Sequence, residues 1–164
     1  MLGRLYEGQV CSAARTLELV GERWSLLIIR NAMFAGMTRF GEFQRSLGIA
    51  PNVLSKRLDD FVAAGIFMQQ PAGSGGHAEY VLTTMGLDLQ PVIVALTEWG
   101  DRWAAPDRPP VTYQHDSCGG HVKLQMDCTR CGQHPASAEV RAHVASSGAS
   151  PVGFAVGRGK RSER

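Results

Sequence analysis

Residues 39–64 constrain the fold most, because they read as two short amphipathic helices joined by one glycine turn. In residues 39–47 the apolar side chains recur at helical spacing, and Gly48 then interrupts the pattern. Pro51 is a residue type favoured at the first position of a helix. The helix that it begins has one apolar stripe that a core must bury, formed by Leu54, Leu58, Phe61 and Val62. The spacing predicts a tight helical pair.

The segments around this pair predict the rest of the domain. Two helices are expected before it, at residues 12–20 with Ser12 as the N-cap and at residues 23–34. The second of these is apolar around its whole circumference, which predicts a buried central helix. After the pair, residues 66–70 and 78–82 are short strand candidates around a glycine-rich tip at 71–76. This order is typical of an α+β winged helix-turn-helix domain.

The polar face of the second helix of the pair carries groups that can bind DNA. Amide, hydroxyl and ammonium groups near its start can hydrogen-bond to base edges in a major groove. Between residues 39 and 57 there are four cations and one anion, a modest footprint for phosphates. A solvated polar face is the plainer interpretation, but the hairpin that follows favours DNA. The predicted DNA-contacting residues are Arg39, Pro51, Asn52, Ser55, Lys56, Arg57 and, at the hairpin tip, Gly75 and His77.

The hairpin, or wing, offers little chemistry of its own. Only His77 at its tip could become cationic, so we expect the wing to present backbone N–H groups and shape to DNA. The alternative is a hairpin that only covers the edge of the core.

Three segments occur in a distinctive order and spacing, namely CSAARTLELVGERWSLLIIRNAMFAGMTRFGEF, LSKRLDDFVAAGI and EYVLTTMGLDLQPVIVALTEWG. With them, about two thirds of the chain resembles the HxlR-type branch of the MarR-like winged-helix transcription regulators. The resemblance implies a homodimer built with the last helix of the domain and the N-terminal arm. It also implies double-stranded DNA with a palindromic operator as the partner.

A long amphipathic helix is predicted after Thr83 or Thr84. Its apolar residues recur at alternating four- and three-residue steps, the spacing of a seam between helices, and Pro91 is expected to bend it. Such a stripe is often ordinary core, but a small winged domain has limited surface to cover a helix of about twenty residues. Together with the resemblance, the seam predicts a dimer interface formed by Leu89, Val92, Leu96, Trp99 and Trp103.

Two short motifs of matching form follow this helix, HDSCG at residues 115–119 and CTRCG at residues 128–132. Each has a ligand, two spacers, a cysteine and a glycine that lets backbone N–H groups turn toward a sulfur. Two such knuckles predict a closed tetrahedral Cys₃His zinc site that stabilises a segment with few large apolar side chains. Free thiols or disulfides are the alternative. The predicted ligands are His115, Cys118, Cys128 and Cys131, with His121 as the alternative to His115.

Cys11 stands apart from these motifs, just before the first predicted helix. The positive end of a helix dipole can raise the thiolate character of a cysteine there. The resemblance implies that Cys11 senses electrophiles or oxidants. The alternative is a small buried hydrophobic residue.

The composition of the chain limits the classes of protein to which it can belong. The apolar share of 44% supports a core, while the net charge of +2 is too small to indicate nucleic acid by itself. Because there is neither an apolar run of membrane-spanning length nor a signal peptide, we expect a cytoplasmic protein without membrane contact. The predicted organisation is a winged-helix and dimerisation domain at residues 1–106, a zinc-ribbon-like appendage at 107–134 and a disordered basic tail at 135–164.

These patterns predict a homodimeric, sequence-specific DNA-binding transcription regulator, most simply a repressor, that responds to a small molecule or to thiol modification, and no enzyme activity. One alternative is a zinc- or thiol-dependent redox enzyme that uses Cys128 and Cys131. No βαβ pattern surrounds that pair, and four protein ligands would leave zinc no open position for chemistry. A zinc-stabilised protein-interaction module is the other alternative.

Overall fold

The computed structural model describes residues 11–71, 78–104 and 111–143 of the 164. Within these ranges the chain divides into two compact units. Residues 19–124 form the winged-helix unit, and residues 11–18 with 125–143 form the other. In the described part of the chain, no helix has both the length and the apolar character needed to cross a membrane.

The order of elements is that of a winged helix-turn-helix, as predicted. In chain order the elements are α1 (Ser12–Val20), α2 (Ser25–Ala35), α3 (Phe40–Leu47), α4 (Pro51–Ala63), β1 (Phe67–Gln70), β2 (Glu79–Leu82), α5 (Thr84–Leu87), α6 (Gln90–Trp103) and a 3-10 turn at Ser137–Glu139.

The core of the winged-helix unit is built on α2, because this helix is apolar on most of its surface. Ile28 and Ile29 of α2 are fully buried, together with Phe43 of α3. The predicted stripe on α4 is confirmed, since Leu54, Leu58 and Phe61 are at most 1% exposed and Val62 packs against the same core. Burial of this stripe fixes which face of α4 remains in solvent.

The wing is an antiparallel pair in which Phe67 of β1 lies opposite Leu82 of β2. The segment between α2 and α3 joins this pair. The Thr38 carbonyl accepts a 2.7 Å hydrogen bond from the Tyr80 N–H, and Arg39 forms an isolated bridge with Glu79. The wing is therefore tied by backbone contacts to the start of α3.

The prediction of one bent helix after the wing is wrong. Thr83 caps α5, because its Oγ1 accepts a 3.3 Å hydrogen bond from the Gly86 N–H. That helix ends at Leu87, and α6 begins at Gln90 with Pro91 in its first turn. A proline costs no helical hydrogen bond at this position, so Pro91 begins a new helix instead of bending an old one.

Residues 113–122 form a short hairpin, here called the anchored hairpin, that belongs to the winged-helix unit. Its two arms meet at an isolated bridge between Gln114 and His121 and are joined by a 2.9 Å hydrogen bond from the Val122 N–H to the Tyr113 carbonyl. The Tyr113 ring lies 4.4 Å from the ring of Phe34 on α2. Just after the hairpin, the Leu124 N–H donates to Glu98 of α6 at 3.1 Å. This half of the predicted appendage thus packs on α2 and α6.

Three predicted features lie wholly or largely outside the described residues. They are the N-terminal arm at residues 1–10, most of the wing tip, including Gly75 and His77, and residues 144–164 of the predicted basic tail.

Candidate nucleic-acid interface

The exposed face of α4 presents most of the predicted DNA-contacting side chains together. Gly48 has a left-handed φ of 61°, which lets the chain reverse after α3 and start α4 three residues later. The extended Ala50 then accepts hydrogen bonds from the N–H groups of Val53 and Leu54, each at 3.0 Å. The exposed residues of this face are Pro51, Asn52, Ser55, Lys56 and Asp59.

Lys56 and Arg57 are both held by Asp60 on the next turn of α4. The ammonium of Lys56 lies 3.0 Å from one carboxylate oxygen of Asp60 and 3.2 Å from the other. The guanidinium of Arg57 lies 3.6 Å from the same carboxylate. The two cations differ in access, because the Lys56 side chain is 64% exposed and that of Arg57 only 12%. Lys56 is therefore the accessible cation of the two.

Arg39 connects the helical pair to the wing. Its Nε lies 3.2 Å from Oε1 of Glu79 on β2, and its side chain is 63% exposed. Glu79 is forty residues away in sequence, so nothing in the pattern of residues 39–64 could reveal this partner. The Asp60 partner of Lys56 was missed too, although the four-residue spacing on a helix is a usable signal.

The start of α3 is fixed by a capping interaction around Glu42. Its carboxylate accepts hydrogen bonds from the backbone N–H groups of Arg39 and Thr38, both at 3.0 Å. These two hydrogen bonds hold the pKa of Glu42 below its usual value, and the one from the Arg39 N–H has the larger effect. The positive charges of the Arg39 and Arg45 side chains lower the pKa slightly further. The cap positions Arg39 beside β2.

Asp59 places negative charge between α4 and the wing. Burial raises the pKa of the Tyr80 hydroxyl on β2, and the nearby Asp59 carboxylate raises it further. The face of α4 is therefore divided, with amide, hydroxyl and ammonium groups in its first half and the carboxylates of Asp59 and Asp60 in its second half.

α6 has one buried and one exposed apolar side. Ile93 and Val94 are buried, and Leu89, just before the helix, packs against the core. The other four residues predicted for a dimer interface are exposed, from Val92 at 41% and Leu96 at 54% to Trp99 at 62% and Trp103 at 65%. We call these four residues the apolar α6 face.

Cys11 is half-buried and immediately precedes α1. Its carbonyl accepts a 3.2 Å hydrogen bond from the Arg15 N–H. Ser12 is the first residue of the helix, so the prediction that it is the N-cap is wrong by one residue, and Cys11 occupies the cap position.

The first knuckle is a tight turn at the tip of the anchored hairpin. The His115 carbonyl accepts hydrogen bonds from the N–H groups of Cys118 at 3.2 Å and Gly119 at 2.8 Å, and Gly119 has a φ of 69°. Sγ of Cys118 lies 3.4 Å from Nδ1 of His115, so these two ligand types converge. The exposed alternative ligand, His121, lies across the hairpin from Gln114.

The second knuckle has the same form. The Cys128 carbonyl accepts a 2.8 Å hydrogen bond from the Gly132 N–H, and Gly132 has a φ of 70°. The backbone N–H groups of Cys131 and Arg130, together with the Cys131 side chain, hold the pKa of the Cys128 thiol below its usual value. Donors aimed at a sulfur are the arrangement that a thiolate ligand needs.

The knuckles belong to different compact units, and each has two suitable ligands. Among the residues described, no group of three or more His, Cys, Asp or Glu side chains is placed to hold one metal ion. The zinc site of four ligands therefore stays a prediction.

Comparison with known proteins gives the family. The model of the HxlR-like helix-turn-helix family matches residues 19–108. An uncharacterized HTH-type transcriptional regulator of Mycobacterium tuberculosis is 45% identical over 134 residues, covering 80% of this chain and 83% of that relative.

Solved structures of similar fold agree with this family assignment. The crystal structure of PA1607, described as a candidate transcription factor, has a TM-score of 0.75 at 42% identity and covers 82% of this chain and 94% of its own. The redox regulator HypR in its reduced form has a TM-score of 0.51 at 29% identity, covering 56% of this chain and 92% of its own. The chain therefore belongs to the HxlR-like helix-turn-helix family of transcription regulators.

Proposed function

We propose that this protein is a homodimeric repressor that binds a palindromic operator by inserting α4 into the major groove. The observation that carries the proposal is the exposed face of α4, where Asn52, Ser55 and Lys56 stand side by side after the Gly48 turn. An amide and an ammonium can distinguish base edges in that groove, and a hydroxyl can hydrogen-bond to them. We propose that Arg39, at the start of α3 and with its side chain 63% exposed, contacts the phosphate backbone.

The dimer is supported by the apolar α6 face. Four large apolar side chains, two of them tryptophan, are exposed along one side of a 14-residue helix. Contiguous exposed apolar surface of this kind marks an interaction site, and tryptophan is enriched at such sites. A second copy of the chain is the occupant that we propose, because two recognition helices then read two half-sites. Those half-sites lie one helical turn, ~34 Å, or a multiple of it, apart.

The response that we propose is a population shift that begins at Cys11. This half-buried thiol sits at the start of α1, and one relative of similar fold, HypR, is described as a redox regulator. A thiol-reactive electrophile or another small molecule near α1 would favour a dimer arrangement with a different spacing of the two α4 helices, and both half-sites would be lost together.

Zinc is the cofactor that we propose for the knuckles, in a structural role. His115 and Cys118 would supply one pair of ligands and Cys128 and Cys131 the other, as imidazole nitrogen and thiolate sulfur are zinc's preferred donors. The support is local: the two turns have the same backbone form, and the N–H groups of Cys131 and Arg130 lower the pKa of the Cys128 thiol.

Selection from a pool of random duplex DNA tests the proposed function. The purified protein should enrich an inverted repeat, and treatment with a thiol-reactive electrophile should lower its affinity for that repeat while the Cys11→Ser variant keeps its affinity. Enrichment of no sequence would refute sequence-specific binding. An equal electrophile effect in both proteins would refute the role of Cys11.

A further inference from the structure

Most cations of the DNA-facing surface are already paired with carboxylates of the same chain. Lys56 and Arg57 pair with Asp60, and Arg39 pairs with Glu79. Of the four cations between residues 39 and 57, three are therefore in an ion pair within the described part of the protein. The surface is much less positive than the count in sequence indicates.

Stability does not explain these pairs well. The Lys56 and Arg39 side chains are 64% and 63% exposed, and ion pairs between exposed side chains contribute little to folding because water and salt screen them. The position of these ion pairs has a larger effect on the binding of a polyanion such as DNA than on folding. A phosphate that approaches Lys56 or Arg39 must either displace a carboxylate or accept a negative charge within about 4 Å of the cation that it binds.

We propose that Asp60 and Glu79 are specificity-determining residues, because they weaken sequence-independent binding to phosphates more than they weaken binding to the operator. This inference rests on the proposed function, since it requires that α4 faces DNA. Non-specific affinity comes almost entirely from neutralised phosphates, so reduced positive charge lowers it most.

Operator binding is affected less because it also uses base contacts. An ammonium has three N–H donors, so Lys56 can remain paired with Asp60 and still donate to a guanine edge. The pair also restricts the conformations of a long flexible side chain. Asp60 thus acts through Lys56, as a positioning residue that holds its ammonium over the exposed face of α4.

The test compares the affinity of wild type and Asp60→Asn for a selected operator duplex and for a scrambled duplex of the same length and composition. Asp60→Asn should raise affinity for the scrambled duplex about fivefold and steepen the dependence of log K on log salt by about one. Operator affinity should rise less, so the ratio of the two affinities falls. Glu79→Gln should act in the same direction, and Asp60→Glu should keep the wild-type ratio.

Two controls separate this account from a simple change in net charge. Asp88→Asn removes the same charge from an exposed residue between α5 and α6, and it should leave the scrambled-duplex affinity nearly unchanged. In a Lys56→Met background, the effect of Asp60→Asn should largely disappear. Equal effects of Asp60→Asn and Asp88→Asn, or an undiminished effect in the Lys56→Met background, would overturn the inference.

Two further outcomes are decisive. If Asp60→Asn does not fold, Glu79→Gln alone decides, and an unchanged affinity for the scrambled duplex would then overturn the inference. A wild-type protein that prefers no duplex over another would refute the proposed function, whereas a specific wild type whose variants keep its ratio would refute only the role of the carboxylates.

Discussion

The hydroxyl of Tyr113 lies 3.1 Å from Oγ1 of Thr97, in the middle of α6. Thr97 donates its own proton to the Ile93 carbonyl at 3.0 Å, so its oxygen is free to accept from Tyr113. The ring of Tyr113 meanwhile contacts Phe34 on α2. The Tyr113 side chain therefore joins the anchored hairpin to α2, on which the core is built, and to α6, which carries the apolar α6 face.

This relationship predicts a graded loss of stability. Tyr113→Phe removes only the hydrogen bond and should lower the free energy of unfolding by about 1 kcal/mol. Tyr113→Ala also removes the aromatic contact, and the total loss should be roughly 1–3 kcal/mol. Urea unfolding followed by tryptophan fluorescence measures both values, with the exposed Val111→Ala as the control. Wild-type stability in Tyr113→Ala would show that the contacts of Tyr113 add nothing to folding.

Glu42 predicts a pH dependence. Hydrogen bonds from the Arg39 and Thr38 N–H groups lower its pKa in the folded state, below the ordinary value of 4.5. Its contribution to stability is therefore complete above that value and is lost as pH falls through the folded-state pKa. Glu42→Gln should be less stable than wild type at neutral pH, and this difference should shrink as the pH falls below 4.5. Thermal unfolding across this range measures it, with exposed Glu22→Gln as the control; a difference independent of pH would contradict the prediction.

Leu96→Glu should disrupt the dimer. Leu96 lies within the apolar α6 face, and a charge buried there without a partner costs several kcal/mol. Sedimentation should show monomers. Operator affinity should fall because the monomer can bind only one half-site at a time. Gln90→Glu adds the same charge at an exposed position at the start of α6 and should leave the dimer intact. A Leu96→Glu protein that sediments as a dimer would exclude this face as the interface.

The zinc proposal predicts one metal ion per chain in the purified protein. Cys128→Ser should lose it, while the winged-helix unit stays folded because it has its own core. Cys11→Ser is the matched control and should keep the metal. Separate His115→Ala and His121→Ala variants identify the fourth ligand, since only the true ligand should cause a large loss of zinc affinity. Metal analysis that finds no zinc would refute the site.

The parts of the fold that follow from local spacing could be predicted from the sequence. The stripe of Leu54, Leu58 and Phe61 gave the buried side of α4, and the glycine turn before Pro51 gave the helical pair. Pro91 was misleading because a proline within an apolar repeat can either bend a helix or begin one. The choice depends on whether Asp88 and Leu89 continue α5, which the packing against the core decides.

Contacts between residues far apart in sequence could not be predicted. The pairing of Arg39 with Glu79 depends on the wing folding back against the start of α3, and the anchoring of Tyr113 depends on the space between Phe34 and Thr97. No periodicity reports such contacts. The count of cations between residues 39 and 57 was correct, but it stopped short of Asp60, one helical turn after Lys56, and it could not include Glu79, which the fold brings to Arg39.

The most direct test of the central claim is the affinity of Lys56→Ala for the selected operator, measured by fluorescence anisotropy at fixed salt. If α4 reads the major groove, loss of the accessible ammonium should cost ~1–3 kcal/mol and relax specificity at one base pair. Lys123→Ala, an exposed lysine after the anchored hairpin, should bind as wild type does. Equal affinity of Lys56→Ala and wild type for the operator would contradict the assignment of α4 as the recognition helix.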